Sequence, residues 1–310
     1  MDSSVVQGII NFLSADLRLA TPILLAAIGM IYSERAGIVN IGAEGMMLAG
    51  ALAGVIGSFF FGSAWYGALL AVTVGGFAGL IFGFIVITLQ GNQIVTGIAF
   101  NLLGLGLTTS FSRVILGSTS QRPEIDSFTA VAIPLLSDIP ILGPVLFKQS
   151  IIVYFTIGMV FITYFILYKT TWGLKVRAVG DSPKAADTVG VNVYFVRYQS
   201  IIIGGMLAGL GGAFISLGLV SLFTENMVAG RGFIAIAAVI FGKWNPFGVL
   251  LAALLFGAGD ATVFRLQSMG TDIPYQFIRM IPYIITIAAL AGFVGKSRAP
   301  AASGIPYDKE

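Results

Sequence analysis

WGLKVRAVGDSPKAADTVGVNVYFVR, running from Trp172 to Arg197, is a charged, capped stretch set between two long apolar runs. Lys169, Lys175, Arg177, Lys184 and Arg197 fall in or beside it, against Asp181 and Asp187. Loops rich in Lys and Arg stay on the cytoplasmic side of a membrane, so this segment sets the orientation of the whole chain. Ser182-Pro183 has the pattern of an N-cap followed by proline at the first helical position, and Gly190 fits the residue just past a helix end. The pattern predicts a short helix over Pro183 to Val189, outside the bilayer, with Asp181 near its positive end. A plain inter-span loop and a rigid element docking a cytoplasmic partner both fit this spacing.

The composition requires a membrane around that loop. The 310 residues are 57% hydrophobic and only 10% charged, with a mean hydropathy of +0.95. Soluble domains carry roughly 25% charged residues, so this chain lacks the polar surface to face water on all sides. Its apolar runs approach the roughly 20 residues that cross about 30 Å of hydrocarbon as helix. They are continuous rather than alternating, which excludes an outer-membrane barrel. The reading is all-α, a polytopic helical bundle of eight to ten spans in a bacterial inner or plasma membrane. Spans are expected near 20–32, 42–61, 66–89, 93–112, 150–168, 199–217, 229–241, 247–264 and 275–294. Pro22, Pro246 and Pro274 are expected near helix starts, and Pro282 inside the last span. Residues 1–295 form one transmembrane domain, with 172–197 as its protruding loop. Residues 296–310 form a polar tail, expected to be disordered and held in the cytoplasm by Lys296 and Arg298.

The chain has no Cys and no His, which removes thiolate or imidazole metal sites, disulfides and imidazole acid–base chemistry. No GxxxxGK[ST] phosphate loop, nucleophile elbow or HExxH occurs, so no catalytic residue and no metal site are expected. Nucleic acid is not an expected partner; the lipid bilayer is.

Small residues recur at helical spacing: Gly75–Gly79–Gly83, Gly50–Gly54, Gly205–Gly209–Ala213 and Ala253–Gly257–Ala261. Such faces let helix backbones approach in lipid, where burying apolar surface gains nothing. Two apolar regions are interrupted, Ala36 to Gly45 and Thr224 to Gly232, the second followed by a short span. Interrupted segments in corresponding positions of two halves point to a substrate pathway at an inverted internal repeat. Asn40, Glu44, Asn226 and Arg231 lie in these breaks. Asn92, Gln93, Thr96 and Asn101 place further polar groups along the fourth span, as solute contacts or as interhelical glue. Glu44 is either part of the pathway, a clamp on backbone N–H groups, or the carboxylate of its own helix start. Asp260, near Arg265, is expected in an interfacial ion pair. If Glu44 and Asp260 instead bound a proton or Na⁺, the chain would be an ion-coupled secondary transporter.

Three blocks, ERAGIVNIGAEGMMLAGA at 34–51, GLKVRAVGDSPKAADTVGVNVYFVRYQSIIIGGMLAGLGGAF at 173–214 and NMVAGRGFIAIAAVIFGKWNPFGVLLAALLFGAGDA at 226–261, resemble the permease subunit of bacterial ATP-binding-cassette importers. The likeness is to the simple-sugar and nucleoside branch, related to ribose and branched-chain amino acid permeases. It implies a coupling segment formed by Asp181, Ser182, Pro183, Lys184, Ala185, Ala186, Asp187 and Gly190, seated on a nucleotide-binding ATPase subunit that holds ATP and Mg. It further implies a second, similar permease as heterodimer partner and an extracytoplasmic substrate-binding lipoprotein. The cargo implied is a nucleoside or related sugar, with a branched-chain amino acid as the alternative.

Overall fold

A computed structural model describes residues 3–117, 125–134, 136–137, 139–140, 142–268, 274–278, 280–282, 284 and 299–309. Among these, seven helices are long and apolar enough to cross a membrane, which makes the chain a multi-pass membrane protein. They are α1 (Ser3–Arg35), α2 (Ala43–Phe61), α3 (Ala64–Gly83), α4 (Gln93–Ile115), α6 (Ile151–Lys169), α9 (Val193–Phe214) and α11 (Pro246–Ser268). A short α10 (Arg231–Phe241) joins them inside the bundle, and α5 (Leu142–Leu146), α7 (Thr171–Asp181), α8 (Pro183–Thr188) and α12 (Tyr275–Ile278) complete the set. The expected span over 275–294 lies largely outside the described residues, as do Lys296 and Arg298.

The first expected span, 20–32, is part of a single 33-residue helix of about 50 Å, and Pro22 lies inside it rather than at its start. Ser63 caps α3 by accepting from the Trp65 amide, and Asn92 caps α4 by accepting from the Ile94 and Val95 amides. Both α3 and α9 run on into a π-helical turn, Phe84–Thr88 and Ile215–Val220. One departure from an all-α fold is a small antiparallel pair, β1 (Ala130–Ala132) with β2 (Lys148–Ser150), in register Ala130↔Ser150.

Helix α9 is the centre of the bundle, packed by α1, α2 and α3, and the small-residue faces make this possible. A methyl group on Gly50 would overlap the Gly209 backbone, and one on Gly75 would overlap the Gly205 carbonyl. The predicted glycine stripes of α2 and α3 thus both close on the Gly205–Gly209 stripe of α9. Buried polar groups are tied internally: Tyr32 donates to Thr163 at 2.9 Å, and Ser216 to the Ala51 carbonyl at 2.9 Å.

Helix ends sort into two faces. On one, the end of α1, the end of α6 and the turn after α10 meet through Arg35, Tyr168 and Trp244, beside α7 and α8. This face carries the basic loop, the side that the positive-inside rule assigns to the cytoplasm. On the other, Asp126 binds the Ala64 amide, Arg113 pairs with Glu225 at 2.8 Å, and Arg265 donates to the Gly8 carbonyl. Residues 299–309, expected to be disordered, are instead packed on the cytoplasmic face, with Ala302 and Tyr307 buried. Main-chain hydrogen bonds hold them, which side-chain polarity does not reveal.

Candidate translocation site

The two interrupted stretches meet. After α1 the chain turns at Gly37 (φ +85°), and the 38–45 segment is fastened to α4. Gln93 accepts from the Val39 amide at 2.7 Å; Asn101 accepts from the Gly45 amide at 2.8 Å and donates to the Ile41 carbonyl at 2.9 Å. Glu44, in the first turn of α2, is thereby aimed at the start of α10. Its two carboxylate oxygens accept from the Gly230 and Gly232 amides, each at 2.7 Å. Those N–H groups have no intrahelical partner, and they form the positive end of a helix dipole, so a carboxylate is the favoured cap. Gly232 is required here because a Cβ would lie 2.6 Å from the Glu44 Cα. Of the readings open for Glu44, the clamp on backbone N–H groups is the observed one.

Arg231, between those two glycines in sequence, pairs with Asp260 of α11 at 3.4 Å, both side chains largely buried at 15% and 18% exposure. Asp260 therefore pairs across helices with Arg231, while its neighbour Arg265 donates to the Gly8 carbonyl. Arg231 Nη1 also donates to the Met227 and Val228 carbonyls, and its buried Nε has no protein acceptor among the described residues. Asn226 (φ +56°) and Ala229 (φ +51°) hold the preceding backbone in the left-handed region that glycine normally occupies, so this approach to α10 is a strained bend. Beside it lies a crevice of about 640 Å³, lined by Arg18, Leu219, Thr224, Glu225, Asn226 and Arg231 among others. Glu225, outside the spans, is held below the usual carboxylate range by its hydrogen bond to Arg113.

The predicted pathway residues consequently separate. Asn226 and Arg231 line the crevice, and Glu44 holds the two glycines that flank Arg231 in sequence. Gln93 and Asn101 are interhelical fasteners, and Asn92 is an exposed helix cap. Asn40 is fully buried against Met46, and Thr96 is half-buried near Gly91. Sequence reasoning missed Arg18 and Asp260 as neighbours of this site; they come from helices more than 240 positions apart.

On the cytoplasmic face, α8 forms where expected, one residue shorter, with Val189 as its C-cap and Gly190 at φ +84° just beyond. Ser182 occupies the N-cap position, but its side chain makes no capping bond. The 172–181 part of the basic loop is itself helical, which the reading of this segment as loop overlooked. Thr170 caps α7 by accepting from the Gly173 amide, and Gly173, Val176, Val179 and Gly180 form its buried face. Lys184, Ala185 and Val189 are exposed, while Ala186 is buried. Gly180 packs so closely on the Arg35 carbonyl that a Cβ has no room. Arg35 in turn donates to the Trp244 carbonyl at 3.3 and 3.1 Å, and the buried Glu34 accepts from the Trp244 indole N–H. α7, the end of α1 and the turn after α10 are therefore one joint.

The profile of the family described as "Branched-chain amino acid transport system / permease component" matches residues 12–290. The chain is 41% identical to the guanosine ABC transporter permease protein NupQ of Bacillus subtilis, covering 98% of each chain. It is 37% identical to the nucleoside ABC transporter permease protein NupC of Lactococcus lactis, covering 94% of each. A second Bacillus subtilis protein, the guanosine ABC transporter permease protein NupP, is 30% identical over 93% of this chain and 83% of its own. A solved metal-chelate type ABC transporter in an inward-facing conformation aligns with a TM-score of 0.50 at 16% identity, over 94% of this chain and 90% of that one, a likeness of fold alone.

Proposed function

Because the chain belongs to the permease-component family of branched-chain amino acid transport systems, we propose that it is the membrane-spanning subunit of an ATP-binding-cassette importer for nucleosides or related ribosyl solutes. It resides in the bacterial plasma membrane and works by alternating access. The observation that carries the choice of solute is that both buried anion-binding devices beside the crevice are already satisfied, which leaves the exposed Arg18 as its open cation among the described residues. The α10 N-terminus is capped by Glu44, and the Arg231 guanidinium is paired with Asp260. A branched-chain amino acid would bring a carboxylate with neither of these devices free to take it; a nucleoside is uncharged and brings hydroxyls with ring donors and acceptors, which the exposed Asn226 suits. The same two contacts count against ion coupling, since both carboxylates that would bind Na⁺ or a proton already have partners.

ATP with Mg binds in a separate nucleotide-binding subunit, and a substrate-binding lipoprotein delivers the solute from outside. Assembly with a second, similar permease is supported by the two guanosine permease relatives of Bacillus subtilis. Closure of the ATPase presses on Asp181 to Gly190. Contacts from α8 through α7 to Arg35 and Trp244 carry that displacement to the cytoplasmic end of α10, whose other end lines the crevice. Uptake of labelled guanosine, leucine and ribose into proteoliposomes holding the assembled transporter tests the reading. Guanosine uptake should require internal ATP and resist ionophores. Uptake of leucine in its place, or uptake that survives ATP depletion, would refute it.

A further inference from the structure

Resting on the coupling role proposed for α8, we infer that residues 299–309 form a strap that fixes this helix to the bundle, with Tyr307 and Lys309 as positioning residues for force transfer. The strap reaches α7, α9 and the connections after α1 and α3. The Ala302 amide donates to the Gly180 carbonyl at the end of α7 (2.9 Å), and the Gly304 amide to the Gly37 carbonyl after α1 (3.0 Å). The Ile305 carbonyl accepts from the buried Arg197 of α9 at 3.3 Å, and the same guanidinium donates to the Ala36 carbonyl at 3.2 Å. The Tyr307 carbonyl accepts from Gln90, in the α3–α4 connection, at 3.3 Å and from Tyr194 of α9 at 3.2 Å. The Tyr307 ring lies edge-on to Tyr194 with centroids 5.5 Å apart.

The strap then ends on α8 itself. The Asp187 carboxylate faces the Tyr307 hydroxyl, and Lys309 Nζ lies 3.7 Å from its Oδ1. Burial first, and then the Asp187 carboxylate, push the Tyr307 hydroxyl up to about 12, so it remains a donor at any physiological pH. A six-residue helix with one buried side chain, Ala186, has little packing of its own. A load on it would swing it about Ser182 and Gly190 instead of moving α7, unless something else resists. The contacts to Asp187, backed by five hydrogen bonds to α7, α9 and the α1–α2 and α3–α4 connections, supply that resistance.

The test uses the complete transporter. In wild type, hydrogen exchange should show the Ala302 and Gly304 amides protected; exchange at open-loop rates would overturn the strap. A chain terminated after Arg298 should still recruit the ATPase and keep its basal hydrolysis. Stimulation by loaded binding protein, and uptake with it, should fall about tenfold. If that chain fails to insert, the Tyr307→Ala/Lys309→Ala double variant, which leaves the strap's backbone bonds in place, should lower stimulation at least threefold at unchanged basal rate. Stimulation within wild-type error would overturn the proposal. Replacing Pro183 to Ala186 by a Gly/Ser linker in parallel separates the two ideas. If the linker abolishes uptake and strap variants do not, the strap alone fails; if the linker is silent, the coupling role fails first.

Discussion

Replacing Glu44 by Gln removes a charge from a group that holds two backbone amides, each at 2.7 Å. Each charge-assisted bond contributes about 1.5–3 kcal/mol, so the carboxylate secures the start of α10 by roughly 3–6 kcal/mol. Gln offers one carbonyl oxygen and turns an NH₂ toward the second amide. It keeps one neutral bond of about 1 kcal/mol and leaves a buried donor unpaired. The net loss is about 2–5 kcal/mol, or roughly 30-fold to 4,000-fold in the equilibrium between docked and released α10. The chain has no cysteine, so Ala229→Cys gives a clean thiol reporter next to the clamp. Glu44→Gln should raise the maleimide labelling rate of that thiol at least tenfold and cut nucleoside uptake by a similar factor. Gly232→Ala should behave alike, since its methyl would meet the Glu44 Cα at 2.6 Å. Wild-type labelling and uptake in Glu44→Gln would refute the clamp.

Removing one partner of the Arg231–Asp260 pair, as in Arg231→Met or Asp260→Leu, takes the opposite charge from a largely buried group and should cost about 3–5 kcal/mol, read as lost thermal stability of the purified complex; Arg231→Met/Asp260→Leu should recover most of that stability without recovering uptake. Trp244→Phe removes the donor to the buried Glu34 and should destabilise by about 1–3 kcal/mol, while Trp244→Phe/Glu34→Leu should be milder, each read by denaturation midpoint. Gly212→Ala would drive a methyl into the Met47 carbonyl between α9 and α2 and should sharply reduce the yield of inserted protein on expression. Glu225 has a depressed pKa from its exposed pair with Arg113, so the stability it adds is present above about pH 4.3 and lost as pH falls through the lower folded value; Glu225→Gln should lower the melting temperature by the same small amount at pH 6 and pH 8.

What sequence reasoning could reach follows from range. Apolar length marked the spans, and i, i+4 glycines marked the faces that close on α9, because both signals lie within one helix. The helix start at Pro183 and the left-handed Gly190 are equally local. Pro22 inside α1 was misplaced because a bilayer helix tolerates proline when its neighbours satisfy the freed carbonyl. α7 was hidden by its charge: Lys175 is on the outer side of a helix whose inner side is glycine and valine, and the half-buried Arg177 lays its guanidinium over the Tyr168 ring. The partners of Glu44 lie 186 and 188 positions away, and no spacing rule connects them. The packing of residues 299–309 is written mainly in main-chain bonds to Gly37 and Gly180, which composition does not encode.

The central claim is that a motor outside the membrane moves this bundle through Pro183–Thr188. Nucleoside-stimulated ATP hydrolysis, measured on the assembled transporter with Pro183 to Ala186 replaced by a Gly/Ser linker, tests it most directly. Stimulation and uptake should both fall to background while the ATPase keeps its basal rate and the permease still inserts. Stimulation at the wild-type level through that linker would contradict the claim.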